Sequence, residues 1–209
     1  MRIGIDIRPL LDQPLTGVGE YTFHLLDALL RHTLPEEHCV LFANSRRRSF
    51  IVPQTWNRDR VTVRQFRFPN KLLNGLLFAT GRPRLERFVG SVDLFFVPNA
   101  NFLPRAMHVP VVSTAHDLSF FHYPQLFSFR RRVWHRMVRP ERLFQKSTAV
   151  IAVSEATRRD VIRSLQIPEE RVTEIPSGIA VQERSAEEQQ RVRSRYHLPH
   201  QFIFALGTQ

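Results

Sequence analysis

Short apolar, β-branched runs alternate with helix-patterned segments from the first residues to about position 175, and this alternation constrains the fold more than any other feature. Residues 2–7, 40–43, 61–66, 93–97, 109–114, 148–153 and 171–175 read as strands. Between them, residues 17 to about 30 carry Val18, Tyr21, Leu25, Leu26 and Leu29 at helical spacing. Residues 71–89 read as a helix interrupted by Gly81 and Pro83, and 129–145 as a basic helix. Residues 154–165 read as a helix that turns Val161, Ile162 and Leu165 inward. Continuously apolar strands separated by helices require a parallel sheet covered on both faces. The expected class is therefore α/β and Rossmann-like.

A chain of 209 residues with 43% hydrophobic content is long enough to bury a real core. Residues 1–176 supply enough elements for one whole domain. Residues 176–180 (PSGIA) have turn chemistry and precede a polar, charged stretch at 182–200, which makes them the best boundary. The run QFIFALGTQ at 201–209 reads as a buried strand entering a glycine turn, so 177–209 is expected to be a linker plus the opening strand of a second domain. The N-terminus reads as a strand rather than a secretory leader, and no apolar stretch reaches the roughly 20 residues that span a bilayer. A lone Cys39 cannot form an intrachain disulfide, so a cytoplasmic location is the expectation.

The net charge is +11, and 28 of the 30 basic residues are arginine. Two clusters carry much of it: Arg46 to Arg48, and Arg130, Arg131 and Arg132 followed by Arg136, Arg139 and Arg142. In the second, spacings of three and four residues put side chains on one helix face. Two readings stay open: a solvated basic face, or a surface that docks on anionic lipid. Nucleic acid is disfavoured, because no helix-turn-helix, RNA-recognition or zinc-finger pattern accompanies the charge. Residues 66–88 interleave Phe, Leu, Arg and Lys. Core burial is the favoured reading there, with an interfacial membrane patch as the sharper alternative.

Three short features hold candidate chemistry. Gly17 and Gly19 stand between the first strand and the first helix, where small residues let a backbone approach a ligand and free N–H groups meet a phosphate. A dinucleotide fingerprint asks for a third glycine at position 22, where this chain has Thr22, so a dehydrogenase is disfavoured. His116 and Asp117 lie at the carboxyl end of an interior strand, where open α/β sheets place their ligands. A histidine merely capping the strand is the plain alternative. Ser154 in SEAT is read as a helix cap.

Taken in order, "MRIGIDIRPL…TGVGEYTFHLLDALL", "VDLFFVPN…LP", "VPVVSTAHDLSFFHYPQLFS", "AVIAVSEATRRDVI" and "RVTEIPSGI" resemble the N-terminal half of the GT-B glycosyltransferases. More narrowly, they look like the mannosyltransferase-B-like branch of retaining family 4, the glycosyl transferases group 1. Even "FIFALGT" is similar to the strand that opens the family's donor-binding domain. The resemblance implies an acceptor-side domain whose Gly17 and Gly19 face the donor diphosphate. It also implies that His116 contacts the donor sugar, with Asp117 beside it. Transfer would be of a hexose, most readily mannose from GDP-mannose, to a polysaccharide or lipid-linked saccharide, with retention and without a metal or other cofactor. The absence of an Asp-x-Asp motif agrees with metal independence. The family's Arg-Lys pair and paired glutamates have no counterpart up to Gln209, so the chain by itself is expected to be silent and to need a donor-binding domain in cis. The implied location is cytoplasmic, at most peripheral to the inner face of the membrane. The rival reading is a non-catalytic saccharide-binding or accessory domain.

Overall fold

The computed structural model describes residues 1–32, 36–104, 108–178 and 184–204. They group into two compact units, Met1–Ser177 and Gly178–Gln209. The first contains seven strands: β1 (Arg2–Asp6), β2 (His38–Asn44), β3 (Val61–Phe66), β4 (Leu94–Val97), β5 (Val111–Ala115), β6 (Ala149–Ala152) and β7 (Val172–Glu174). All pair in parallel in the order β3-β2-β1-β4-β5-β6-β7. This is the doubly wound arrangement that the alternation of elements predicts. The helices are α1 (Gly17–His32), α2 (Asn70–Thr80), α3 (Glu86–Val89), α4 (Ser119–His122), α5 (Phe129–Val138), α6 (Pro140–Lys146) and α7 (Glu155–Leu165).

Strand periodicity divides the core into two layers. Val40, Phe42, Phe95, Val97 and Val150 point to one face, where Leu73 and Leu77 of α2, Phe88 of α3, Phe144 of α6 and Val161 of α7 cover them. Ile5, Leu41, Ala43 and Phe96 point to the other, against Leu26 and Leu30 of α1 and the indole of Trp56. Each such side chain contributes about 1.5–3 kcal/mol when fully buried.

Several boundaries differ from expectation for local reasons. The basic helix at 129–145 is two helices, because Pro140 cannot continue α5 and Arg139 turns the chain with φ 55. The helix at 71–89 is interrupted where expected: it ends at Thr80, with Gly81 left-handed at φ 70, and helix resumes at Glu86. Core burial holds for Leu73 and Leu77, while Leu72 is 71% exposed and Leu76 48%.

In the second unit a helix, α8 (Ala186–Arg195), occupies the stretch expected to be a polar linker. Ser185 and Glu188 close a reciprocal capping box at its start. The strand expected over 201–209 is corrected for its first half. Residues 201–204 carry no strand, and Phe202, Ile203 and Phe204 are exposed, because no neighbouring backbone among the described residues pairs with them. The remainder, 205–209, lies outside the described residues.

Candidate functional site

Strand order reverses between β1 and β4, so the loops leaving their carboxyl ends diverge and open a crevice. Three segments meet at that edge: residues 7–16 ahead of α1, residues 98–104 after β4, and residues 116–118 after β5. A cavity of about 580 Å³ there is lined by Val18, Asn99, His116, Asp117, Arg130 and Arg131, among others. The structure thus brings His116, Asp117, Arg130 and Arg131 to one cavity, while Gly17, Gly19, Arg132 and Arg136 are not in its lining.

His116 is held from several sides. Its Nε2–H donates to the Pro98 carbonyl at 2.8 Å, its own carbonyl accepts from Thr157 Oγ1, and Tyr21 packs edge-on at 4.8 Å. The Tyr21 hydroxyl meets Thr114 Oγ1, and burial raises its pKa against the opposing pull of that hydrogen bond. Burial also lowers the His116 pKa, against smaller opposing effects of the Pro98 carbonyl and Asp117. The ring is therefore neutral near pH 7 with its proton committed to Pro98. What it can present to a ligand is the Nδ1 lone pair, an acceptor for a hydroxyl, rather than a donor to a phosphate.

Asp117 is exposed, and its Oδ1 accepts from both the backbone N–H and the hydroxyl of Ser119. It therefore fixes the turn into α4 while lining the cavity. Ser154 caps α7 as expected, accepting from the Thr157 N–H at 3.1 Å. Thr157, buried behind that cap, ties α7 to His116.

The two glycines differ in physical role. Thr16 caps α1: its Oγ1 accepts from Gly19 N–H, and its carbonyl accepts from Glu20 N–H. The N–H groups of Gly17 and Val18 are left without an acceptor among the described residues. A Cβ on Gly19 would sit 2.5 Å from Leu15 Cδ1 and 3.1 Å from the Pro9 carbonyl oxygen, so close packing alone demands glycine there. A Cβ on Gly17 would meet nothing within 4 Å, and its φ is not positive. Nothing among the described residues explains the glycine at 17.

The arginine cluster does not form a single face. Arg130 and Arg131 line the crevice cavity, whereas Arg132 and Arg136 line a second cavity of about 760 Å³. His135 borders both cavities. Its ring stacks on Phe120 at 4.9 Å, and its Nδ1 is buried with no hydrogen-bond partner among the described residues. Burial, and then the nearby Arg131 guanidinium, push its pKa down. Sequence reasoning missed His135, although it stands four residues after Arg131 beside Trp134.

It also missed the pair beneath the crevice. Asp6, 1% exposed at the end of β1, binds Arg8 at 2.6 Å, and Arg8 also donates to the Phe102 carbonyl beyond β4. That guanidinium lies over the Phe42 ring and bridges the two diverging loops. The pair is legible only as charges inside an apolar strand. Elsewhere, Ser164, His122 and Asp160 meet, but both partners address the same His122 Nε2. A relay needs opposite ring nitrogens, so this cluster only joins α4 to α7.

Residues 15–183 match the family model described as Glycosyltransferase Family 4. Over 68 residues, 31% of this chain and 8% of the relative, the sequence is 36% identical to the serotype-specific mannosyltransferase WbdA of Escherichia coli. Solved structures of Anabaena Alr3699/HepE, one in complex with UDP and glucose and one with UDP-glucose, align at a TM-score of 0.51 with 16% identity. Each alignment covers 94% of this chain and 50% of that chain, so this chain spans about half the length of these solved proteins. At that identity the likeness shows the fold. No helix among the described residues is long and apolar enough to cross a membrane.

Proposed function

We propose a function on one premise: the chain belongs to Glycosyltransferase Family 4. It is the acceptor-side domain of a transferase that moves a hexose from a nucleotide-diphosphate sugar to a saccharide acceptor. Residues 1–176 form that domain, and 177–209 lead toward a donor-binding domain in cis.

One observation carries this reading. Val18 in the first turn of α1, His116, Asp117, Arg130 and Arg131 all line one cavity at the carboxyl edge of the sheet, beside a helix start whose first N–H groups have no acceptor among the described residues. The helix terminus, open at Gly17, is a ready receptor for the donor diphosphate. It would stabilise the negative charge that develops as the diphosphate departs, without a metal. His116 would accept from a donor-sugar hydroxyl, and Asp117 would hold the loop beside it. Same-face attack assisted by the leaving phosphate gives retention and asks for no protein nucleophile. That suits a crevice in which both His116 and Asp117 already carry hydrogen bonds to the chain.

Mannose as the sugar is supported by the short match to a mannosyltransferase, and a nucleotide-diphosphate donor by the UDP and UDP-glucose in the solved relatives. The acceptor is a polysaccharide or lipid-linked saccharide. Arg130 and Arg131 would add positive charge to the crevice for the diphosphate, while Arg132 and Arg136 would offer peripheral contact with the inner membrane face. The test is His116→Ala in a polypeptide that includes the donor-binding half, assayed with GDP-mannose and with UDP-glucose. Loss of most transfer supports the assignment, and turnover near wild type removes it. The second reading is a saccharide-binding accessory domain. It predicts acceptor binding that no donor alters and no transfer under any pairing.

A further inference from the structure

A smaller cavity, of about 130 Å³, lies beside the crevice between α2, residues 101–104 and the α5–α6 elbow. Its apolar lining includes Leu77, Phe102 and Leu143, all of them core residues. Arg139, Arg142 and Lys146 also line it, and none of its lining residues is acidic. None of the three cations makes an ion pair among the described residues. Arg142 and Lys146 stand four residues apart on α6, where like charges repel. Arg139 holds a left-handed backbone at φ 55, a conformation that favours glycine or asparagine over arginine. Both the sequence and the backbone are thus less favourable than simple alternatives, and an anion seated among the three side chains would offset both.

We propose that this cavity is a binding site for an amphiphilic phosphate, with the aliphatic tail in the apolar floor and the phosphate among Arg139, Arg142 and Lys146. The floor has the right scale: an apolar cavity of about 150 Å³ accepts a benzene-sized group, so this one takes the first branched unit of a tail and leaves the rest outside. Arg139 offers a planar fork of donors to phosphate oxygens, and the other two add charge. Location supports the assignment. Residues 99–100 line the crevice and 101–104 line this cavity, and Phe102 is anchored both by Arg8 and by an edge-on contact with Trp134 at 6.4 Å. An acceptor held here by its lipid phosphate would present its saccharide toward His116. The inference therefore deepens the transferase reading and rests on it for its biological meaning, but the site itself stands on its own lining.

The experiment is calorimetric titration of the 209-residue chain with geranyl phosphate, geraniol and inorganic phosphate, beside co-sedimentation with phosphatidylglycerol vesicles. Geranyl phosphate is expected to bind at least about tenfold more tightly than either fragment. The double variant Arg142→Ala with Lys146→Ala should lose that advantage. Arg139→Gly, which relaxes the backbone, should weaken binding while keeping the unfolding midpoint. Inorganic phosphate binding as well as geranyl phosphate would overturn the proposal in favour of a free-anion site. Equal binding of geraniol, or no response to the double variant, would also overturn it. Sedimentation with vesicles without geranyl phosphate binding would reassign the face to a membrane surface. Because these readouts involve no transfer, their failure is distinguishable from a failure of the His116 test.

Discussion

Replacing Gly17 and Gly19 by alanine separates two jobs that glycine can do in the loop before α1. At Gly19 the new methyl would lie 2.5 and 2.8 Å from Leu15 Cδ1 and Cγ and 3.1 Å from the Pro9 carbonyl oxygen. Rotating Leu15 relieves the Cδ1 contact but leaves the carbonyl, so Gly19→Ala should cost about 1–3 kcal/mol by overpacking. At Gly17 the methyl meets nothing within 4 Å and the backbone needs no left-handed φ. Alanine is a better helix former than glycine, so Gly17→Ala should be neutral or stabilising by up to about 0.5–1 kcal/mol. Urea unfolding of the two variants measures this contrast directly. The functional readout is opposite. In a polypeptide with its donor-binding half, Gly17→Ala should lower donor kcat/KM about a hundredfold, near 2.7 kcal/mol, because on the proposed function the methyl would stand where a diphosphate oxygen must reach the N–H groups. A Gly17→Ala protein that is destabilised by more than about 1 kcal/mol, or that keeps wild-type kcat/KM, would refute the assignment of that N-terminus to the donor.

Three further outcomes follow from the geometry. Burial lowers the His116 and His135 pKa values below their ordinary 6.5, so both rings resist protonation in the folded chain and accept it on unfolding. Stability should therefore be full above about pH 6.5 and decline as the pH falls below it, and replacing both by glutamine should flatten urea midpoints measured from about pH 7.5 to 5; a midpoint that rises on acidification contradicts this. Arg8→Met strands the Asp6 carboxylate in the core and should cost about 3–5 kcal/mol, with partial recovery when Asp6→Asn is added; an unchanged melting temperature would show that Asp6 is solvated. Thr157→Val removes the hydroxyl that reaches the His116 carbonyl and should cost about 1 kcal/mol in unfolding while shifting the His116 ring resonances by NMR; an unmoved spectrum would uncouple α7 from the site.

The sheet was legible because its signal is repeated. Seven apolar runs each report a strand, and a parallel order follows from the helices between them. His116 was legible by place, as the first polar residue beyond β5. Misreadings occurred where a single residue decided the outcome. Pro140 splits a helix whose charge pattern runs straight across it. Over residues 201–204 the sequence pattern is that of a strand, yet a strand is a property of a pair, and the run finds no partner among the described residues. His135 and the Asp6–Arg8 pair were invisible for another reason: their meaning lies in contacts between segments far apart in the chain, such as Arg8 with Phe102. The same holds for the arginines. Helical spacing predicts a shared face, but the elbow at Arg139 and the width of α5 distribute them over three cavities.

That distribution has a chemical consequence. At the switch point the chain uses several of its own acceptors internally: Asp6 is consumed by Arg8, Pro98 by His116, and one oxygen of Asp117 by Ser119. The groups left over are mostly donors and cations, namely the Gly17 and Val18 N–H groups and the guanidinium groups of Arg130 and Arg131. An isolated excess of donors at a helix terminus raises the potential of the whole crevice, and low-dielectric walls strengthen it. A neutral saccharide gains little from such a field, whereas a diphosphate gains from every element of it. Under the proposed function, selection between sugars would fall to the acceptors that remain, among them the His116 Nδ1 lone pair and the second Asp117 oxygen. On that reading the crevice would separate its tasks physically: backbone and arginine would attract the charged part of a ligand, and a neutral histidine would distinguish the uncharged part.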